Sequence, residues 1–192
     1  MRNSYRLALS GLVLLLAACG SGETDNGNDV AAAAANDAAS ATRPPAPVPA
    51  KPAVVLEGDG LQLGGRRLAF GATQDAVVKD LAAAIGKPAT EEGNQEECGG
   101  GPLYSVGWDG KFYALFEEGK FAGWEDRGRF QTQTGLRVGS PRQQVASLTG
   151  VSIEESTLGI EFSAGGFGGV LESKAPDAKV TDFWAGTTCV FR

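Results

Sequence analysis

The pattern of hydrophobic and polar positions divides the chain into three parts. Residues 7–18 form a short apolar run, and residues 20–55 contain few side chains large enough to build a core. From residue 56 to residue 192, apolar and aromatic residues return at strand-like intervals, over a length sufficient for one buried core. We therefore expect a folded body that begins near residue 56.

Two segments of this body have the spacing of amphipathic helices. The first places apolar side chains at i, i+4 and i+8, at Val77, Leu81 and Ile85. The second carries Val145 and Leu148. A glycine follows each segment, as is common where a helix ends.

A sequence block recurs in the two halves of the body. Residues 116–124 and 162–170 both read Phe-x-x-Gly-x-Phe-x-Gly followed by an apolar residue. In each half this block follows a predicted helix and has the turn glycine of a β-hairpin. A helix followed by antiparallel strands predicts an α+β fold, in which two divergent helix-plus-hairpin repeats form one compact body. The repeats are residues 56–129, which include an insertion, and residues 130–192.

The N-terminal run has the features of an export signal. Basic residues precede it, and it is shorter than the roughly 20 residues of a membrane-spanning helix. It ends in the sequence Leu-Ala-Ala-Cys at residues 16–19, which resembles the lipobox of bacterial lipoproteins. The resemblance implies removal of a signal peptide, residues 1–18, and acylation of Cys19. Because no aspartate follows Cys19, it also implies sorting to the periplasmic face of the outer membrane.

The segment after the lipobox predicts a tether. Residues 19–55 are rich in alanine, proline and small polar residues, a composition typical of disordered chain. A flexible segment of this length spans about 30–36 Å. We expect it to hold the folded body away from the membrane.

The first half of the body resembles a further family. The sequence Gly-Ala-Thr-Gln-Asp-Ala-Val at residues 71–77, closing in Gly-Lys-Pro at residues 86–88, is similar to the signature of the SmpA/OmlA-type outer-membrane assembly lipoproteins. The tandem plan is similar to the repeats of β-lactamase inhibitory protein. The resemblance covers about residues 68–124 and, more faintly, residues 136–192. It implies a scaffold that binds other proteins and catalyses no reaction.

Composition excludes several kinds of function. The chain has no histidine, so it contains no Ser-His-Asp triad, no Cys-His pair and no histidine-based zinc site. A net charge of −6 argues against a nucleic-acid partner. The glycine clusters lack the Lys-Ser or Lys-Thr of a phosphate-binding loop, and the acidic pairs lack calcium-loop spacing. We therefore predict no catalytic residue, no metal and no cofactor.

Two cysteines remain once Cys19 is acylated. An even number of thiols in an exported chain predicts a disulfide, here between Cys98 and Cys189. The pair lacks the Cys-x-x-Cys spacing of redox motifs, which favours a structural bond. Such a bond would join the insertion of the first repeat to the end of the second.

Regular pairing sorts the aromatic hairpin of the first repeat into two faces. One face is the predicted core, with Phe112, Ala114, Phe116 and Phe121. The other carries Tyr113, Leu115 and Trp124, and tyrosine and tryptophan are common in interface hot spots. Two interpretations stay open: this face binds a partner, or it packs under the insertion or against the second repeat. The same choice applies to Trp108 and Trp184.

The leading functional prediction is a non-catalytic protein-binding module anchored in the outer membrane. Its partner would be an envelope protein or a hydrolase, bound through Tyr113, Leu115 and Trp124, so the module would act as an inhibitor or as an accessory in envelope assembly. The alternative is a structural or small-ligand-binding envelope lipoprotein without a protein partner.

Overall fold

The computed structural model describes residues 52–98 and 101–189. The predicted signal peptide, the acylation site Cys19 and most of the tether lie outside the described residues. The first strand begins at Val54. The folded body therefore starts two residues before the predicted boundary at residue 56, because two buried valines extend it.

Within the described part of the chain, eleven strands and two helices follow one another. In chain order they are β1 (Val54–Glu57), β2 (Gly60–Leu63), β3 (Arg66–Ala69), α1 (Gln74–Ile85), β4 (Glu91–Gln95), β5 (Leu103–Trp108), β6 (Phe112–Glu117), β7 (Lys120–Asp126), α2 (Arg142–Ala146), β8 (Ser152–Ser156), β9 (Gly159–Ala164), β10 (Phe167–Leu171) and β11 (Val180–Gly186).

The strands form two antiparallel sheets. The small sheet has the order β1-β2-β3, and the large sheet has the order β4-β5-β6-β7-β11-β10-β9-β8. Each half of the large sheet contains four strands that are consecutive in the chain. The halves meet where β7 pairs with β11, with Trp124 opposite Ala185.

The predicted α+β class of two helix-plus-hairpin repeats is wrong. Among the described residues the protein is mostly β, and its helices contain only 12 and 5 residues. Strand β4, Glu-Glu-Gly-Asn-Gln, has no alternation of apolar and polar residues. It is held by backbone pairing to β5 at the sheet edge, so the hydrophobic pattern could not predict it.

The two matching sequence blocks occupy hairpins that are not equivalent. Residues 116–124 lie in β6 and β7, the third and fourth strands after α1. Residues 162–170 lie in β9 and β10, the second and third strands after α2. The two phenylalanines of the first block pair with each other, whereas Phe162 pairs with Gly169. The predicted insertion in the first repeat arises because two strands, β4 and β5, lie between α1 and the matching block, whereas only β8 lies between α2 and the block of the second half.

The core lies on one face of the large sheet, which we name the inner face. The predicted core side chains Phe112, Ala114, Phe116 and Phe121 are at most 1% exposed. Helix α1 contributes Val77 and Leu81, which are fully buried as its periodicity predicted. No helix within residues 52–98 and 101–189 is long and apolar enough to cross a membrane.

The small sheet is joined to the inner face through Trp124. The indole Nε1 of Trp124 donates to the carbonyl oxygens of Glu57 and Gly60, each at 3.0 Å. These carbonyls flank the turn between β1 and β2. Because the indole is fully buried, these bonds fix how the small sheet sits on the large one.

Candidate functional site

The opposite face of the large sheet, which we name the outer face, contributes no side chain to the main core cluster. Side chains that are directly paired on neighbouring strands point to the same face of a sheet. The pairing registers therefore place one row across all eight strands of the outer face. In order from β4 to β8 the row is Glu91, Gly107, Tyr113, Glu125, Trp184, Gly168, Ser163 and Ser152.

Each aromatic side chain in this row lies on a glycine of the neighbouring strand. A Cβ placed on Gly107 would lie 2.7 Å from the Tyr113 ring, and one placed on Gly168 would lie 2.4 Å from the Trp184 indole. Any larger residue at either position would displace the ring. The missing side chain at each glycine therefore lets Tyr113 and Trp184 pack over the neighbouring strand. Both rings are directed away from Glu125, which lies between them.

Tyr113 is held in place by polar contacts at its rim. Its hydroxyl donates to Oε2 of Glu91 at 3.2 Å, and the guanidinium carbon of Arg127 lies 5.0 Å from the ring centroid. The backbone N–H of Gly110 donates to the other oxygen of Glu91 at 2.8 Å. Desolvation, with the negative charge of Glu91, raises the pKa of Tyr113, so its hydroxyl stays protonated at neutral pH. A partly exposed ring is thereby fixed in one orientation.

Glu125 lies between the two aromatic residues at the junction of the sheet halves. Its side chain is 18% exposed, and Oε1 accepts the backbone N–H of Cys189 at 3.3 Å. Arg127 approaches Oε2 no closer than 3.8 Å. Burial raises the pKa of Glu125 because Arg127 and the Cys189 N–H offset the desolvation of its carboxylate only in part.

Two adjoining grooves meet at this carboxylate. One has a volume of about 470 Å³ and runs over β4 to β7, and the other has a volume of about 260 Å³ and runs toward β10. Glu125, Arg127 and Cys189 line both grooves. Glu125 therefore borders both grooves of the outer face.

The outer face is acidic. Its register positions include the carboxylates of Glu91, Glu117, Glu125, Glu154, Glu161 and Asp182. Within the described ladders the register places one basic side chain on this face, Lys120 at a hairpin tip. Beyond the ladder end, Arg127 lines the grooves and its backbone N–H donates to the carbonyl oxygen of Lys111. This excess of negative charge favours a positively charged partner.

The predicted disulfide between Cys98 and Cys189 is confirmed, with a Cα–Cα distance of 4.8 Å. Together with Leu103 and Leu115 it forms a small apolar cluster at one end of the outer face. Leu115 is only 2% exposed. It therefore lies on the predicted face but under the disulfide-linked segments, where it cannot serve as an exposed contact residue.

The prediction that Trp124 shares a face with Tyr113 is wrong. Leu115 pairs with Gly123 and Phe116 pairs with Phe121, so Ala122 is an extra residue in β7. Such a β-bulge shifts the alternation of all following residues by one position. Trp124 therefore pairs with Ala114 on the inner face and is fully buried. Glu125 occupies the position beside Tyr113 that was predicted for Trp124.

Comparison with known proteins gives no relative: no protein-family model, no curated protein and no solved structure matches the chain significantly. The site therefore has to be judged on its own geometry.

Metal binding gains no support from the described residues, which contain no group of three or more Cys, Asp or Glu side chains arranged to hold an ion. The carboxylates of the outer face are instead spread over several strands. They form an extended charged surface and no coordination sphere.

Sequence reasoning missed Glu125 and Arg127 as site residues and left Trp184 undecided. The adjacent residues Phe183 and Trp184 did contain a signal, because successive side chains of a strand point to opposite faces and a buried Phe183 places Trp184 on the outer face. Glu125 carried no such signal, since its position depends on the bulge at Ala122.

Proposed function

We propose that the protein is a non-catalytic protein-binding module of the bacterial envelope, which binds a partner protein with a basic surface through the outer face of its eight-stranded sheet. The open outer face is the observation that carries the proposal. A sheet normally buries both faces or leaves one polar face in water. Here the face away from the core carries, among its acidic side chains, the partly exposed Tyr113 and the largely buried Trp184, each fixed on a glycine.

The rigidity of these two rings supports binding to another protein. Tyrosine and tryptophan contribute much binding energy at interfaces, and a side chain that is already ordered loses little conformational entropy on binding. Tyr113 is ordered by Glu91 and Arg127 before any partner arrives. The outer face thus has prearranged anchors.

The shape of the face supports a macromolecular partner over a small ligand. A small-molecule site usually encloses most of its ligand within a concave pocket. The two grooves lie on a single layer of strands, and the strand positions that line them span most of the sheet width. A broad surface of this kind matches the dimensions of a protein interface.

Acylation at Cys19 and location at the periplasmic face of the outer membrane belong to the same proposal. They rest on the lipobox resemblance of residues 16–19 and on the Ala/Pro-rich segment 19–55. Two or more acyl chains would anchor the protein stably. A tether of about 30–36 Å would let the outer face reach proteins at the membrane or in the periplasm.

Quantitative capture from solubilised envelopes tests this function. The full chain, its Tyr113→Ala variant and a Lys79→Ala control on the exposed side of α1 are used as baits, and captured proteins are identified and then rebound in purified form. We expect at least one protein that binds the wild type and the control about tenfold more tightly than the Tyr113→Ala variant. Equal binding to all three baits, or no specific binding, would contradict the proposal and favour a structural or ligand-binding role.

A further inference from the structure

We infer that the partner inserts a lysine or arginine side chain between Tyr113 and Trp184, where its cation contacts the carboxylate of Glu125. This inference rests on the proposed function and specifies the chemistry that the outer face recognises. It is carried by the arrangement of one carboxylate between two aromatic rings, and by the charge of the surrounding face.

The positions of the side chains in the row across the outer face leave space for such a side chain. Tyr113 and Trp184 are both directly paired with Glu125, one on each side. Because each ring lies on the glycine farther from Glu125, neither ring fills the position above its carboxylate, where the described contacts are those of Arg127 and the Cys189 backbone. Both grooves reach this position.

The charges around this space favour a cation. Glu125 lies near two further carboxylates: Glu91 lines the same groove on the far side of Tyr113, and Asp182 adds its negative charge from β11. Arg127 is the cation that faces Glu125 from the described residues, yet its side chain is 56% exposed and 3.8 Å from the carboxylate. Three carboxylates and one guanidinium leave a net negative charge that a partner's cation would neutralise.

The aromatic walls add a second attraction. A guanidinium or ammonium group is stabilised over the face of a tyrosine or tryptophan ring, most strongly over tryptophan. Arg127 already lies over the Tyr113 ring, which shows that this wall accepts a guanidinium. A bound cation would contact the carboxylate of Glu125 and would have the Trp184 ring on the side opposite to Tyr113.

The partner's side chain would also relieve an unfavourable feature of the unbound protein. The carboxylate of Glu125 is largely removed from water, and neither of its neighbours gives it a close ion pair. A bound cation would supply charge-assisted hydrogen bonds at this position. This is the arrangement expected where one buried charge pair defines an interface hot spot.

Arginine-containing peptides test the inference on the full chain. The probe is the acetylated and amidated peptide Gly-Arg-Gly-Arg-Gly, and its control contains uncharged citrulline in place of arginine. The protein has three tryptophans: Trp108 and Trp124 are fully buried, whereas Trp184 is 8% exposed and lines the groove beside Glu125, so their three indole N–H signals in NMR report where the probe binds. We expect the arginine peptide to shift the Trp184 signal and leave the other two in place.

Two charge-neutral variants locate the contact. Glu125→Gln should weaken binding of the arginine peptide about tenfold, the effect of losing one charge-assisted hydrogen bond. Glu154→Gln removes a carboxylate of the same face in β8 and should weaken it less than about twofold. Equal losses would show diffuse attraction to an acidic surface and would overturn the inference.

Other outcomes overturn it as well. Equal binding of the citrulline peptide, or binding of a glutamate counterpart, would exclude recognition of a cation. Equal shifts of the Trp184 signal with spermidine or Mg²⁺ alone would indicate a site for small free cations. No shift at millimolar peptide would exclude the pocket. A partner whose capture depends on Tyr113 while the arginine peptide fails would keep the proposed function and remove only this inference.

Discussion

Replacing Trp124 with phenylalanine tests the register that places this residue in the core. The variant loses the indole N–H that donates to the carbonyls of Glu57 and Gly60. Leaving buried acceptors without their donor costs about 1–3 kcal/mol. The smaller ring leaves a void that costs about 1 kcal/mol more. We therefore expect Trp124→Phe to lower the free energy of unfolding by about 2–4 kcal/mol.

The matched control is Trp184→Phe, the same substitution on the outer face. Trp184 is also largely buried, at 8% exposed, but it lies against Gly168 outside the main core cluster, so we expect a loss below about 1.5 kcal/mol. Urea unfolding of the full chain, followed by far-ultraviolet circular dichroism, measures both variants. A hairpin without the bulge would expose Trp124, and the order of the two losses would then reverse. That reversal would refute the reasoning.

Three further predictions concern stability. Replacing Cys98 and Cys189 together by serine opens a loop of 91 residues and should lower the free energy of unfolding by up to about 4–5 kcal/mol, measured by urea unfolding. Gly123→Ala should destabilise by about 1–3 kcal/mol in the same assay, because its Cβ would lie 2.1 Å from the carbonyl oxygen of Thr187. Glu125→Gln should raise the melting temperature at pH 7 and leave it almost unchanged near pH 3. A carboxyl group whose folded pKa is raised by burial stabilises the fold below its unfolded pKa and loses that contribution as the pH rises through the folded pKa.

Each of these three predictions has either a control variant or a result that would contradict it. Unchanged stability without the disulfide would mean that the linked segments are ordered by other contacts. Gly93→Ala on the same face has no atom within 4 Å of its Cβ and should be nearly neutral, so an equal loss at Gly93 and Gly123 would contradict the steric argument. A Glu125→Gln variant that is less stable than the wild type at pH 7, but not near pH 3, would show that the ionised carboxylate stabilises the fold.

Local patterns predicted the parts of the fold that depend on neighbours in the sequence. The helical stripe of Val77 and Leu81 and the alternation of Phe112, Ala114 and Phe116 both mark buried faces, because burial imposes the period of the element on the sequence. The disulfide followed from counting the thiols of an exported chain. These signals fix which side of an element is apolar.

Long-range strand pairing and a local β-bulge determine the parts of the fold and of the candidate site that the sequence pattern does not predict. The bulge at Ala122 has no signature in the motif of residues 116–124, yet it exchanges Trp124 for Glu125 on the outer face. The pairing of β7 with β11 joins strands that are about 60 residues apart in the chain, as in Trp124 opposite Ala185. The central part of the candidate site lies on this junction, so the sequence could supply its residue types but not their arrangement.

The central claim, that a partner covers the outer face, is tested most directly by hydroxyl-radical footprinting of the full chain. Labelling of Tyr113 is compared between intact envelopes and the purified protein, with Tyr104, which packs against the core on the inner face, as an internal reference. We expect Tyr113 to be labelled several-fold less in envelopes, while Tyr104 is labelled equally in both. Equal labelling of Tyr113 in the two preparations would contradict the claim.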